Sequence, residues 1–329
     1  MKLQRFPQLL VSLVLASLGA CAGKQTPAAA VASAPVPPTE PWAWLPEDGT
    51  FVGQLVLEPF RGTPLWSLWE NARKDQRALG DLIDPEKIER AVFSGVGHGQ
   101  STPSFVAALT GKFGEGSVAA AAARQNIAAE AQGLVTVYRY DQVAVAQVYP
   151  ELIIACSVDK LQWLAARSSQ GPGVKVNESA LYKSLAPRVA MATADFAVIA
   201  EDPSGDARAI AERQAQRYGL AVSAGDLVRG GISIDLGPMT QLGAVVETSG
   251  PQQAEALKGS AEATLAGLSS NIFVGLLGVK PLVAALHASA DGNYVAVGGS
   301  VKLTDLNRAL DRLAGMLGIA MSGSAVPAQ

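Results

Sequence analysis

The sequence predicts an α+β fold built of two similar modules, each a mostly antiparallel sheet with helices packed on one face. Three observations predict it. Short apolar strands alternate with helical stretches, turn signals such as Ala290-Asp291-Gly292-Asn293 lie between neighbouring strands, and the same blocks recur in the same order in both halves. A matching block order could also arise by coincidence in an Ala-rich αβ chain, and this alternative stays open.

The first module is predicted over residues 42–170, and it opens with an alternating apolar strand at 51–57. The next elements are a helix from about Thr63-Pro64, a strand at 105–111 and an Ala-rich helix ending at Ile127. The closing elements are strands at 134–138, 142–148 and 152–156 and a helix at 158–167. Ser157 is the expected N-cap of that closing helix.

The second module is predicted over residues 171–319, after the break at Gly171-Pro172-Gly173. Its strands are expected at 196–200, 242–248, 283–289 and 294–301. Its helices are expected at 205–218, 251–268 and 305–317, the last with Thr304 as N-cap. The sequence leaves open whether the two sheets merge into one or face each other.

Residues 1–20 have the layout of a secretory signal peptide. Lys2 and Arg5 form a cationic start, residues 9–18 form an apolar run, and small residues precede Cys21. A membrane-spanning helix needs about 20 apolar residues, so this run is too short to span, and cleavage is the favoured interpretation. The alternative is a secreted protein in which Cys21 is incidental.

The segment Leu18-Gly19-Ala20-Cys21 resembles the lipobox of bacterial lipoproteins. The resemblance implies a thioether-linked diacylglycerol and an amide-linked acyl chain on Cys21, which would hold the protein at a membrane without spanning it. Ala22 stands where many inner-membrane lipoproteins carry Asp, so by family analogy the outer membrane is favoured. Residues 21–41 are rich in Ala and Pro and are expected to be a spacer, and residues 320–329 a disordered tail.

Three weaker motifs resemble a group of uncharacterised secreted or lipid-anchored proteins of Gram-negative bacteria. They are the opening Leu45-Pro46-Glu47-Asp48-Gly49, the segment 79–90, whose spacing departs from the group's pattern, and the closing hairpin and helix at 287–313. The resemblance implies the fold and carries no activity with it.

Composition excludes some classes of function. The chain has 49% hydrophobic and 17% charged residues, as a packed globular protein does. Loss of Lys2 and Arg5 with the signal changes the side-chain charge from −3 to −5, and no basic run occurs, which argues against nucleic acid as a partner. If Cys21 is lipidated, Cys156 is the one cysteine left, and its apolar surroundings predict a core thiol.

The candidate catalytic motifs are weak, so we expect no catalytic residues, metal or cofactor. Ser157 and Lys160 have the Ser-x-x-Lys spacing of penicillin-recognising enzymes, but the companion motifs of that class are missing. The Gly-rich segment 95–101 precedes another predicted strand, so we expect a hairpin-type connection instead of a dinucleotide site. His98 and His287 are the only histidines, which is too few for a zinc site with Cys156.

Four of the five tryptophans are concentrated just after the spacer. Trp42, Trp44, Trp66 and Trp69 lie within 28 residues. Trp42 and Trp44 could pack on the helix that carries Leu65, Leu68, Trp69 and Ala72 along one face. Alternatively, Trp42, Trp44 and Trp66 could form an aromatic surface for peptidoglycan, lipid headgroups or a partner protein.

The leading functional hypothesis is a non-enzymatic binding or assembly module, tethered to the envelope membrane and contacting an envelope protein, peptidoglycan or lipid. The alternative is a carrier or acceptor of lipid acyl chains. An atypical hydrolase using His98 or His287 is a third hypothesis.

Overall fold

The structure is a computed structural model. It describes residues 40–67, 82–97, 104–173, 176–202, 205, 209, 212–213, 223–271, 274–275 and 278–316. Within these residues a single sheet of 12 strands carries helices and short 3₁₀ turns, which confirms the α+β class. No helix in these ranges is both long enough and apolar enough to cross a bilayer.

Every strand pair in the sheet is antiparallel. The strands are β1 (Phe51–Val56), β2 (Ile88–Val96), β3 (Ser104–Gly111), β4 (Ala129–Gln132), β5 (Val135–Tyr140), β6 (Val143–Tyr149), β7 (Leu152–Ser157), β8 (Phe196–Glu201), β9 (Leu227–Asp235), β10 (Met239–Thr248), β11 (His287–Asp291) and β12 (Tyr294–Lys302). They lie in the order β11-β12-β10-β9-β8-β1-β2-β3-β7-β6-β5-β4.

The two halves carry helices at corresponding places, after β3 and β10 and after β7 and β12. The helices are α1 (Ser117–Arg124), α2 (Leu161–Gln170), α3 (Ala180–Leu185), α4 (Pro251–Ser270), α5 (Lys280–Ala285) and α6 (Leu303–Met316). Pro251 starts α4, where its missing N–H is not needed for helical hydrogen bonding. A 3₁₀ helix at Pro41–Trp44 precedes the first strand.

The strand order is repeated about the centre of the sheet. Counted outward, the first half runs β1-β2-β3-β7-β6 and the second runs β8-β9-β10-β12-β11, so the β4-β5 hairpin is extra. The halves meet where β1 pairs with β8, with Phe51 opposite Ala200 and Leu55 opposite Phe196. The two predicted sheets therefore merge into one.

In the first half, helices cover both faces of the sheet, not one. Successive strand residues point to opposite faces. On the face that we call the front, Leu152 and Ile154 pack with Leu164 of α2 and Leu185 of α3. On the back face, Ile153 packs in a second cluster with α1. The expectation of helices on one face was therefore wrong for this half, because β7 is buried at every position and apolar from Leu152 to Cys156, so it needs cover on both sides.

Several elements differ from the predictions. The predicted strand at 283–289 is helix α5 up to Ala285 and strand only from His287, because a short apolar run has no periodicity that separates helix from strand. Strands β2, β4 and β9 and helix α3 were not predicted. In β9, Gly231 lies so close to β8 that an added Cβ would be 2.8 Å from a methyl carbon of Ile199. Glycine thus permits the close approach of β9 to β8. It also interrupts the alternation of apolar and polar residues from which β9 could have been predicted.

The N-terminal boundaries of two closing helices also differ. α6 begins at Leu303, so Thr304 lies inside its first turn and is not its N-cap. Ser157 does precede the 3₁₀ turn 158–160 that leads into α2, but its hydroxyl does not cap it. Of the predicted helix at 205–218 the structure describes residues 205, 209 and 212–213, and the last three of these are helical. The signal peptide lies outside the described residues, as do the part beyond Ser67 of the helix that begins at residue 64, all but residues 40 and 41 of the spacer, and the last residues of the chain.

Candidate functional site

The segment that follows the spacer is seated on the front face of the sheet. Trp42 is 4% exposed and Trp44 is 1% exposed. The Trp42 ring makes an edge contact with Tyr182 at 5.5 Å between ring centroids, and Trp44 makes one with Tyr149 at 6.0 Å. Trp42 and Trp44 therefore do not form an exposed binding surface. Packing on the apolar front face removes the large surfaces of both rings from water, so both are core residues.

The Trp42 ring also meets a cation. The guanidinium carbon of Arg90 lies 5.5 Å from the ring centroid. Arg90 also donates a hydrogen bond of 2.5 Å from Nη2 to Gln54 Oε1. Burial raises the pKa of the Tyr182 hydroxyl, and the charge of Arg90 opposes that rise. Trp42 thus contacts both an aromatic ring and a cation that is itself anchored in the sheet.

The chain from the end of α2 to the start of β8, which we call the intermodule chain, packs against this N-terminal segment. The amide of Gly173 donates to the carbonyl of Ala43 at 2.9 Å. Farther along, the side-chain amide of Gln54 donates to the carbonyls of Met191 and Ala194, the latter at 2.7 Å. We call residues 41–45, with Gln54, Arg90, Tyr182 and this intermodule chain, the N-terminal seat. It ties the start of the folded domain to the junction of the two halves.

Trp66 lies elsewhere. It is half-buried and packs against the back-face cluster, 6.0 Å from the guanidinium of Arg61. Arg61 in turn donates to the carbonyls of Glu86 at 2.8 Å and of Ile88 at 2.6 Å. Trp66 is therefore on the opposite face of the sheet from Trp42 and Trp44, and the three do not form one surface. Trp69 lies outside the described residues.

Ser157 makes structural hydrogen bonds between strands. Its Oγ accepts from the amide of Phe105 at 3.0 Å and donates to the carbonyl of the same residue at 3.3 Å. Nearby, Ser104 donates to Asp159 at 2.5 Å. Burial raises the pKa of Asp159, but the hydrogen bond from Ser104, further hydrogen bonds and the charge of Lys160 outweigh it and hold the pKa below its ordinary value. These contacts join β7 to β3.

The remaining reactive side chains are dispersed. Cys156 is buried, which confirms the predicted core thiol, and burial first, then the charge of Asp159, raises its pKa to about 12. His287 is exposed on the edge strand β11. His98 lies outside the described residues, in the segment between the antiparallel neighbours β2 and β3. Among the described residues no three His, Cys, Asp or Glu side chains lie close enough to hold a metal ion.

A cavity of about 350 Å³ opens on the back face, between β7, helix α1 and the segment that leads into β2. Apolar side chains line part of it, including Phe113, Ala121 and Ile153. Polar lining comes from Asp84, Lys87, Ser117 and Arg124. Ser117, Ala121 and Arg124 recur at helical spacing, so they present one side of α1 to the cavity.

Two of the cavity's polar groups form hydrogen bonds, whereas its two cations form no ion pair with another described residue. Asp84 accepts from the amide of Glu86 at 3.1 Å, and Ser117 donates to Gln147 at 3.3 Å. Lys87 and Arg124 are exposed, and no ion pair joins either to another described residue. The two cations are therefore free, within this part of the chain, to meet an anion.

Sequence reasoning missed both the N-terminal seat and the cavity. Gln54 and Arg90 are polar residues within strands, and their alternation with apolar residues gives no sign that they are bonded to each other. The helical spacing of Ser117, Ala121 and Arg124 was visible, but what faces it depends on long-range pairing. One available signal was the concentration of tryptophan after the spacer.

Comparison with known proteins gives few relatives. No family model matches this chain, and no curated protein matches it. Crystal structures of TP0453 are similar in shape. Crystal form III has 8% identity and a TM-score of 0.49, covering 83% of this chain and 98% of that chain. Crystal form IV has 9% identity and a TM-score of 0.48, covering 82% and 95%.

Proposed function

We propose that this chain is a lipid-anchored protein of the bacterial cell envelope, attached through Cys21, that works as a non-enzymatic binding or assembly module. The observation that supports the proposal is the N-terminal seat. The first residues after the spacer are buried, with Trp44 1% exposed, and the chain between the modules hydrogen-bonds to them.

A seat of this kind suits an anchored module. A lipid on Cys21 would be joined to the folded domain through residues 22–40, and the seat gives that spacer one defined point of departure on the front face. The domain could then contact an envelope protein, peptidoglycan or lipid from a fixed orientation. The outer membrane is the favoured location, by analogy with lipoproteins that lack Asp at residue 22.

Metabolic labelling tests the anchor. In cells fed radiolabelled palmitate, the wild-type chain should carry label and sediment with membranes. Cys21→Ser should lose both properties, whereas Cys156→Ser, the matched control, should keep them because Cys156 is buried. Wild-type protein without label, or Cys21→Ser protein that still carries it, would contradict the proposal.

Crosslinking in intact envelopes tests the module. A photoreactive residue at exposed Leu134, which is 78% exposed, should capture a defined partner from cells that express the wild-type anchor. Placement at exposed Met239 in the other half samples a second surface. If neither position captures protein, glycan or lipid beyond the level seen with Cys21→Ser, binding through these surfaces is excluded. The proposed binding or assembly role would then be contradicted.

A further inference from the structure

We infer that the back-face cavity is a binding site for a small organic monocarboxylate with an apolar body. The inference concerns the folded domain and does not depend on lipidation of Cys21. It is drawn from three properties of the cavity: its charge, its size and its position relative to the N-terminal seat.

The charge of the lining selects an anion. Two cationic side chains, Lys87 and Arg124, stand against one carboxylate, Asp84, which already accepts a hydrogen bond from the amide of Glu86 at 3.1 Å. A guanidinium presents paired N–H donors that match the two oxygens of a carboxylate. Neither cation has an ion-pair partner among the described residues. An anionic head group would therefore complete this side of the cavity.

The other side of the cavity requires an apolar body. Ile153 is 1% exposed, and Phe113 and Ala121 are each 5% exposed. They line the cavity together with Leu82 and Ile83. A ligand that carried only charge, such as a phosphate ion, would lose water against an apolar wall that offers it no hydrogen bond. A ligand with both parts satisfies both sides.

Size limits the ligand further. At roughly 30 Å³ for each water-sized group, a cavity of about 350 Å³ holds on the order of 12 non-hydrogen atoms. An eight-carbon carboxylate fits within this limit. A diacyl phospholipid has several times as many atoms and does not fit, so the site differs from one that would carry a whole membrane lipid.

The position leaves the site accessible. Ile153 lies between Leu152 and Ile154 on β7, and those two residues pack in the front-face cluster that contains Trp42 and Trp44. Because strand residues alternate, the cavity and the N-terminal seat are on opposite faces of the sheet. A ligand can thus enter the cavity while the N-terminal segment stays in place.

Equilibrium dialysis of octanoate against the full chain tests the inference. The chain carries Cys21→Ser, so that no attached acyl chain can compete, and octanol serves as the uncharged probe of equal length. Arg124→Gln and Lys87→Gln remove the two cations from exposed positions, and Ala121→Phe fills the cavity. Arg308→Gln, an exposed arginine of α6 in the other half, is the matched control.

We expect one octanoate site for each chain. Arg124→Gln and Lys87→Gln should each weaken binding about fivefold, and octanol should bind the unaltered site more weakly by at least the same factor. Ala121→Phe should abolish binding, and Arg308→Gln should leave it unchanged.

Equal binding of octanol and octanoate would overturn the inference, as would no octanoate binding at all or binding that survives both charge variants. If circular dichroism shows that Ala121→Phe does not fold, the charge variants and octanol still decide the question. A short diacyl phosphatidylcholine that binds one to each chain and displaces octanoate would also overturn it, since the cavity would then be larger than its described walls allow.

Discussion

Arg90 donates a hydrogen bond of 2.5 Å to Gln54, and this contact joins three parts of the molecule. Gln54 is 2% exposed, at the centre of the sheet, and its amide nitrogen donates to carbonyls of the chain between the modules. Arg90 faces Trp42, whose segment continues from the spacer. One buried amide thus links the entry of the domain to the junction of its halves.

Gln54→Leu should lower the free energy of unfolding by about 3 kcal/mol. The change leaves the carbonyls of Met191 and Ala194 and the Arg90 guanidinium without this partner, and each buried polar group left unsatisfied costs about 1–3 kcal/mol. Urea unfolding followed by tryptophan fluorescence measures the effect. Gln241→Leu is the control, because Gln241 is exposed, and its shift should stay within about 0.5 kcal/mol. Equal shifts for the two variants would contradict the role given to Gln54.

Trp42→Ala should release the N-terminal segment from its seat. The loss of a buried indole costs about 3–5 kcal/mol, and the Tyr182 and Arg90 contacts are lost with it. Limited proteolysis with mass spectrometry should show new cleavage near residues 41–45. Trp66→Ala should be less damaging because Trp66 is half-buried, and it should leave that segment protected. Cleavage at 41–45 in the wild-type chain at the same rate would show that the seat is not occupied in solution.

The thiol of Cys156 should be inert in the folded protein. Burial raises its pKa to about 12, so almost none of it is thiolate at pH 8, and it is also shielded from reagents. With Cys21→Ser present, Ellman's reagent should titrate no thiol in native buffer and one after unfolding in guanidinium. Rapid reaction of the native protein would contradict the assignment of Cys156 to the core.

Ser104→Ala should make the protein less stable in a pH-dependent manner. The Ser104 hydroxyl helps to hold the pKa of Asp159 below its unfolded value, so its contribution is present above the unfolded pKa of about 4 and is lost as pH falls through the folded pKa. The difference in unfolding free energy between wild type and variant should therefore be largest near neutral pH and shrink in acid. Thermal unfolding between pH 2 and pH 7 measures it, and a constant difference would rule out the linkage.

Much of the fold could be predicted from local patterns. The turns at Asp141 and Gly292 both adopt positive φ, as Asp and Gly in such turns can, and the strands beside them pair as hairpins. The matching runs that begin at Phe51 and Phe196 became the two central strands. Local propensity and alternation were sufficient to predict these strands, and the hairpins could be predicted because their two strands are close in sequence.

Less of the candidate site could be predicted. The aromatic residues after the spacer were recognised, but whether they would be buried or exposed depended on a sheet face assembled from strands far along the chain. Gln54 meets its acceptor Ala194 across 140 residues, and no local pattern encodes that contact. The same holds for the cavity, where Asp84, Arg124 and Ile153 come from three separate segments.

The sequence by itself determined the class of fold, its two similar halves, the core position of Cys156 and the expectation of a lipid anchor at Cys21, because each of these follows from residues near one another in the chain. Only the tertiary structure decided that the halves share one sheet, that Trp42 and Trp44 are buried while Trp66 lies on the other face, and that a cavity opens behind β7 with two cations that form no ion pair with another described residue. Those outcomes depend on strand pairing over long sequence separations, where burial of apolar surface and satisfaction of buried polar groups are settled by the whole chain together.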